Sequence, residues 1–452
     1  MTWNNEERRA RARGKRRFLT CVKKRVAFGT AFSTSVCSTR TTLATLATLT
    51  ALTALTAATA TTALGILCGA ASLAWAQDAV PTLDISQDVE RQTVVAAGTP
   101  ELYQGHPYSV LNPDGSILLV WCVNHGGPAG PIARSIDGGK TWERLDDRAP
   151  AGYKKHVNCP SIYRLVDKNG KAWHWVFSAQ PLMPRIVSAD GGESWEEKEP
   201  LGFANVMAFS SIVPANPGVE DGRYLGFFHR RRAADGTLLN KEPNIPGRLE
   251  VAMSLTSDAG FTWSEPRTIA DVPGKDLCEP FAFWSPDKKE ICCLTRENTH
   301  KGRSCMTFSA DGGETWSTPT ETSWELTGDR HIGAYVDDER LFICFRDQAL
   351  GSEERGNFVG WVGTYDDLKQ AKPGDYRVKL LHSFAKPWRG DCGYPGVSRL
   401  DDGTIVAITY VKYRDDENKH SVVATRFTVE ELDKMAAEIA SQKAVEKEKT
   451  EK

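Results

Sequence analysis

One eight-residue pattern, Ser/Thr-x-Asp-x-Gly-x-Thr/Ser-Trp, occurs four times and constrains the fold more than any other feature of the chain. The copies occupy residues 135–142, 188–195, 256–263 and 309–316, with their acids at Asp137, Asp190, Asp258 and Asp311. The closing tryptophans stand 53, 68 and 53 residues apart. Near-regular copies at that period are the signature of one supersecondary unit repeated to build a single core. Each element of the pattern has a physical role. The Asp carboxylate accepts turn N–H groups, the Gly adopts positive φ, and the Trp fills the space beside a hairpin. The four aspartates are therefore expected to be structural, although they are the most conspicuous acids in the chain.

A second repeat lies between the boxes. Each copy is a short strand, a turn often built on Asp-Gly or a charged pair, and a more apolar second strand. The copies begin at His106, Asn158, Phe209, Glu279, His331 and Tyr394. Six hairpins over about 320 residues give about 53 residues per unit, the interval the boxes show independently. That period suits a four-stranded propeller blade. The expected fold is all-β, a six-bladed β-propeller over residues 77–428, with boxes lost by divergence from the fifth and sixth units. Residues 91–96 form a strand candidate that can complete the last blade and so remove a sheet edge. Thr428 and Glu431 form a capping box opening a polar helical tail over residues 429–452, read as solvated.

The formal net charge of −2 is an average over unequal parts. Residues 1–76 hold eleven Lys and Arg against Glu6 and Glu7, then a Thr/Ala/Leu tract ending Ala74-Trp75-Ala76. A basic region, an apolar stretch and a small-x-small site together read as a secretory signal peptide cleaved after Ala76. A transmembrane anchor is the alternative, but the threonines dilute the tract. The mature chain is then expected to be secreted or periplasmic, without a membrane span. It would carry a charge near −11, since 45 basic and 56 acidic residues remain. Such a balance excludes bulk nucleic-acid binding, which needs a basic face. Eight cysteines remain, compatible with disulfides or with buried thiols. No CxxC pair exists, so no metal and no cofactor are expected.

The first strand of each propeller blade lines the central axis, so hairpin ends converge on one pocket. Residues at strand entries are His106, Asn158, Ser210, Glu279, Arg330/His331 and Tyr394. Those at the exits include His125, Gln180, Arg230, Arg296 and Arg346. The boxes, the six units and the export signal together resemble the sialidase superfamily, whose Asp-box turns decorate six-bladed propellers. Asp391-Cys-Gly-Tyr394 followed by Asp402-Gly403 is similar to the segment holding that family's nucleophilic tyrosine. Cys278-Glu279-Pro-Phe with Arg296 is similar to the segment holding the activating glutamate and a carboxylate-binding arginine.

The resemblance implies a glycosidase with Tyr394 and Glu279 as the nucleophile pair. Arg296, with Arg346 or Arg330, is its candidate for binding a substrate carboxylate, and His106 and Arg230 are further substrate-binding candidates from their positions at hairpin ends. A neutral tyrosine avoids the repulsion an anionic nucleophile would meet beside that carboxylate, and arginine binds it bidentately. Clustered arginines are expected to lower the phenol's pKa. Two positions depart from the family's pattern. His106 stands where the first blade normally opens with an arginine. The loop 124–131, where an acid/base aspartate is expected, holds His125 and no carboxylate. His125 is the candidate acid/base, since His titrates near neutrality. The first expectation is an exported exo-glycosidase acting on a sialic or related acidic sugar of a glycan. The alternatives are a lyase or hydrolase of uronic-acid polysaccharide, using His106, His125, a tyrosine and an arginine, and a non-catalytic glycan-binding propeller.

Overall fold

The computed structural model describes residues 80–239, 247–385 and 390–450, and the signal-peptide expectation falls on residues outside these. Among the described residues the strands form six sheets. Blade 1 meanders through Gln104–Leu111, Ile117–Val123, Ile132–Ser135 and Glu143–Arg144. Blade 2 uses Ser161–Val166, Ala172–Phe177, Arg185–Ser188 and Glu196–Lys198. Blade 3 uses Ser211–Pro214, Tyr224–Arg232, Arg248–Thr256 and Arg267–Ala270. Blade 4 uses Leu277–Trp284, Ile291–Glu297, Cys305–Ser309 and Thr320–Glu321. Blade 5 uses Gly328–Tyr335, Arg340–Asp347, Phe358–Thr364 and Tyr376–Leu381. Blade 6 takes three strands from Cys392–Arg399, Thr404–Val411 and Ser421–Thr428. Its fourth is Gln92–Ala96, from the other end of the chain, paired antiparallel to Ser421–Thr428. The fold is a six-bladed propeller closed by that strand.

The boxes are the turns between third and fourth strands of blades 1–4, and their hydrogen bonding is nearly identical. The first hydroxyl donates to the Asp Oδ1 at 2.8 Å in all four. That carboxylate also accepts the backbone N–H four residues on, at 2.8–2.9 Å. Each Trp Nε1 donates to the carbonyl of the box's last glycine at 3.0–3.2 Å. The absence of boxes from the last two units has two different causes. In blade 5 a short helix, α1 (Tyr365–Lys369), capped by Thr364 and Asp367, makes the same connection. In blade 6 there is no such connection, because the fourth strand arrives from the N-terminal side.

Each box also fastens its blade to the one before. Gly260 of blade 3 sits at φ +98, and a Cβ there would lie 2.8 Å from Trp175 Nε1 and 2.9 Å from Leu165 Cδ1 of blade 2. Trp175 Nε1 donates to the Ala259 carbonyl at 2.8 Å across the same junction. Gly139 repeats this at the closure, with blade 1 against Val406 of blade 6.

Two peripheral features differ from expectation. Thr82–Asp84 adds a parallel strand to the outer edge of blade 5. The second helix, α2 (Val429–Thr450), opens with the expected capping box, Glu431 N–H donating to Thr428 Oγ1 at 3.2 Å. Its first turns are docked rather than solvated: Leu432 is buried, and Asp433 accepts from Arg340 at 2.8 Å and from Tyr376 at 2.7 Å. The eight cysteines are all buried, and no described helix is long and apolar enough to cross a membrane.

Gly260→Ala adds a methyl group where both the backbone angle and the blade 2 contact exclude it, so it is expected to lose about 2–4 kcal/mol of stability. Thermal unfolding measures this. A melting temperature within a degree of wild type would show that the turn does not join blades 2 and 3.

Candidate active site

The innermost strands place their first side chains by a shared distortion. The ladders of blades 1, 4, 5 and 6 break register between Gly105 and Tyr108, Cys278 and Phe281, Asp329 and Ile332, and Gly393 and Gly396. Each break contains one residue in the left-handed region: His106 (φ 54), Glu279 (φ 50), Arg330 (φ 57) and Tyr394 (φ 50). Such a bulge leaves one residue unpaired and re-aims its side chain. A left-handed non-glycine costs about 1–3 kcal/mol, so four at equivalent positions mark a site where geometry is favoured over stability. In three of the four the next residue is proline, which has no N–H to leave unpaired at the bulge.

These bulges gather a charged cluster. The Tyr394 hydroxyl donates to Glu279 Oε1. Arg296 Nη1 lies 3.1 and 3.2 Å from the two Glu279 oxygens. The Glu279 backbone N–H donates to His229 Nδ1 at 3.2 Å. On its other side Arg296 meets Asp329, Nε to Oδ1 at 2.8 Å. Asp329 also takes Arg346 at 2.7 and 3.0 Å and His300 Nε2 at 2.8 Å. Burial works most strongly against both carboxylates, but Arg296 with His229 and the Tyr394 hydroxyl outweighs it at Glu279, and Arg296, Arg346 and His300 together outweigh it at Asp329, so both stay below the usual range.

The phenol behaves opposite to expectation. Burial first, and the Glu279 charge second, push Tyr394 well above the usual phenol value, and Arg296 only partly offsets them. The arginines act on the carboxylates that sit between them rather than on the ring. The resting pair is therefore a neutral phenol hydrogen-bonded to an ionised acceptor.

The remaining sequence candidates separate. Arg330 is buried, with its guanidinium 5.4 Å from the Tyr108 ring and 5.7 Å from the Tyr394 ring. Its Nε and Nη1 have no hydrogen-bond partner among the described residues. His106 lies edge-on to Tyr394, ring centroids 4.6 Å apart, with Nδ1 3.1 Å from Cys122 Sγ. Its burial, with nearby His125, holds its pKa down to about 3. His125 is largely exposed, with its ring centroid 4.6 Å from that of His106. Arg230 does not join them, which corrects the reading of it as substrate-binding. Its Nε pairs with Glu250 at 2.7 Å, and its other nitrogens donate to the Pro266 carbonyl and Thr268 Oγ1. All three of its nitrogens are engaged inside blade 3.

Several site residues escaped the sequence reading. Asp329 adjoins Arg330 in sequence, and Asp391 lies inside the motif that carries Tyr394, so proximity to a chosen residue was the available signal. Asp391 accepts from Tyr103 at 2.9 Å and Tyr410 at 2.8 Å. Tyr103 precedes the first hairpin, and Tyr410 closes the sixth, whose exit was not among the candidate positions. No group of three or more His, Cys, Asp or Glu side chains among the described residues could hold a metal ion.

Comparison with known proteins agrees with this architecture. Residues 161–356 match the family model described as a BNR repeat-like domain, which here runs from the first strand of blade 2 into blade 5. A curated relative, a sialidase of Bacteroides fragilis, is 27% identical over 205 residues. The chain is a six-bladed propeller that carries a BNR repeat-like domain and is similar to a sialidase over part of its length. The match to that sialidase covers 41% of this chain and 33% of the relative. A solved protein of unknown function from Dyadobacter fermentans shares the fold at a TM-score of 0.55, with 14% identity over 74% of this chain and 98% of its own. The NanB sialidase of Streptococcus pneumoniae, solved as its K499G mutant, gives 0.49, with 13% identity over 75% of this chain and 70% of its own.

The propeller's buried histidines set its acid stability. Burial holds His106 and His229 down to about 3, and His174 and His331 down to about 4. The unfolded chain takes protons at these positions below about pH 6.5 while the folded chain does not, so stability falls as pH falls from about 6.5 towards 4. Each histidine contributes up to about 1.4 kcal/mol per pH unit across that range. Thermal unfolding at pH 7 and pH 5 is expected to show a clear loss at the lower pH. A flat profile would mean that these rings are protonated in the folded state.

Proposed function

We propose that the propeller is a retaining exo-glycosidase that releases a terminal sialic or related acidic sugar from a glycan. The observation that carries this reading is the Tyr394 hydroxyl donating to an ionised, arginine-held Glu279. As Tyr394 Oη bonds to the anomeric carbon, its proton passes to Glu279, and the departing oxygen takes a proton from Nε2–H of the protonated His125 ring. Water then attacks the anomeric carbon as His125 accepts its proton, and the phenol recovers its own from Glu279. Two displacements retain configuration. The high resting pKa of the phenol means that Glu279 accepts the proton as the bond forms, with no free phenolate beforehand.

Arg330 supports an acidic substrate. Arg296 and Arg346 are already engaged by Glu279 and Asp329, whereas Arg330 keeps unpartnered donors beside Tyr394. A buried cation with open donors is suited to a carboxylate. The uronate-lyase reading needs His106 to move protons. A buried ring held down to about 3 is a neutral wall at physiological pH, which favours the glycosidase.

Turnover of a 4-methylumbelliferyl α-sialoside by the wild-type chain tests the proposal. Tyr394→Phe is expected to lose about 10³-fold or more in kcat while its melting temperature stays close to wild type. Turnover of no acidic aryl glycoside by the wild type, or full activity in Tyr394→Phe, would overturn it.

A further inference from the structure

His125 replaces a carboxylate in a loop that has none, and an isolated exposed imidazole is a poorly oriented proton carrier. The missing carboxylate enters from the other side of the closure. Asp391 precedes the first strand of blade 6, three residues before Tyr394. Its Oδ2 lies 3.4 Å from His125 Nδ1 and accepts the Tyr103 hydroxyl at 2.9 Å. Its Oδ1 accepts the Tyr410 hydroxyl at 2.8 Å. Arg346 Nη1 and His420 Nε2 stand further off, at 3.7 and 3.6 Å. The Tyr103 oxygen lies 3.3 Å from the same His125 nitrogen.

The placement of protons then assigns the ring. Both phenols hold their protons, since burial pushes them well above the usual value. With its hydrogen given to Asp391, the Tyr103 oxygen can only accept from His125. Asp391 also can only accept. Two acceptors face Nδ1, so Nδ1 holds its proton throughout; the neutral ring presents its Nε2 lone pair outward, and the protonated ring presents Nε2–H to the departing oxygen. His106 is the other titratable ring against His125 and stays neutral. Asp391 is itself a poor proton donor. Its burial is outweighed by His125, His420 and the Tyr410 hydroxyl, which keep it ionised.

We propose that Asp391, braced by Tyr103 and Tyr410, is the positioning residue that fixes the tautomer and aim of His125, so that blades 6 and 1 together form the acid/base of the site. The catalytic part of this rests on the glycosidase reading, whereas the placement of the proton does not. The same segment then carries the nucleophile and the orienting carboxylate, setting both sides of the reacting bond from one bulged strand.

The test has two arms on the full chain. In ¹⁵N-histidine NMR, wild-type His125 is expected as the Nδ1–H tautomer, and Asp391→Asn shifts it towards Nε2–H. Tyr103→Phe leaves the carboxylate and keeps Nδ1–H, and it serves also if the Asn variant does not fold. Nε2–H in the wild type, or its appearance in Tyr103→Phe, would overturn the assignment. In the second arm kcat/KM, which reports the first displacement, is compared for an O-linked sialyl disaccharide and a 4-nitrophenyl sialoside, whose leaving group needs no proton. Asp391→Asn is expected to lose about 10²-fold or more on the disaccharide and only a few-fold on the aryl glycoside. In a His125→Gln background it adds little. Equal losses on both substrates would reduce Asp391 to a structural role. If the wild type turns over neither substrate, the glycosidase reading fails, and the tautomer still decides the Asp391–His125 assignment.

Discussion

Ring closure is the constraint on which the rest of this molecule depends. Gln92–Ala96 completes blade 6 by pairing with Ser421–Thr428, and that pairing brings blade 6 beside blade 1. The innermost strands there approach so closely that a Cβ at Gly396 would lie 2.2 Å from Ser109 Oγ. His106 and His125 come from one side of this seam, and Asp391, Tyr394 and Tyr410 from the other. The candidate site is built across this seam, so its parts meet only in the closed ring. The box turns serve the same end, each fastening its blade to its predecessor and so passing the closure around the circle.

Charge is arranged locally against the overall balance. With residues 1–76 left out, the chain sits near −11, which repels an acidic sugar. The axis nonetheless holds three arginines within a short span, and two of them are neutralised by carboxylates of the chain's own. Buried ion pairs of this kind stabilise little in net terms, but breaking one leaves an uncompensated charge. Asp329 therefore works chiefly to hold Arg296 and Arg346 in fixed positions, and Arg330 is left with open donors. The left-handed bulges complete the picture, because stability is given up at four equivalent points to turn four functional side chains onto one axis.

Sequence reading succeeded where the physics is local and failed where it is collective. Box spacing and hairpin alternation disclosed the blades because turn chemistry and period-two patterning act within a few residues. Arg230 was misjudged because strand exits alternate in direction: His229 turns to the axis, and its neighbour turns into blade 3. The phenol's pKa was misjudged because its sign depends on whether a carboxylate or an arginine stands nearest, which spacing does not encode. Asp391 was passed over although it lies three residues from Tyr394, since its importance comes from Tyr103 and His125, far away in sequence at the start of the ring.

By itself the sequence determined a repeated, box-turned hairpin unit, its number and period, and a set of polar residues at hairpin ends. Those follow from short-range backbone and turn preferences written in contiguous residues. Which of the polar residues meet, which arginine keeps its donors open, and which carboxylate faces His125 were decided by the closed ring. The reason is that ion pairing, burial and hydrogen-bond direction are set by three-dimensional neighbours, and here those neighbours come from opposite ends of the chain.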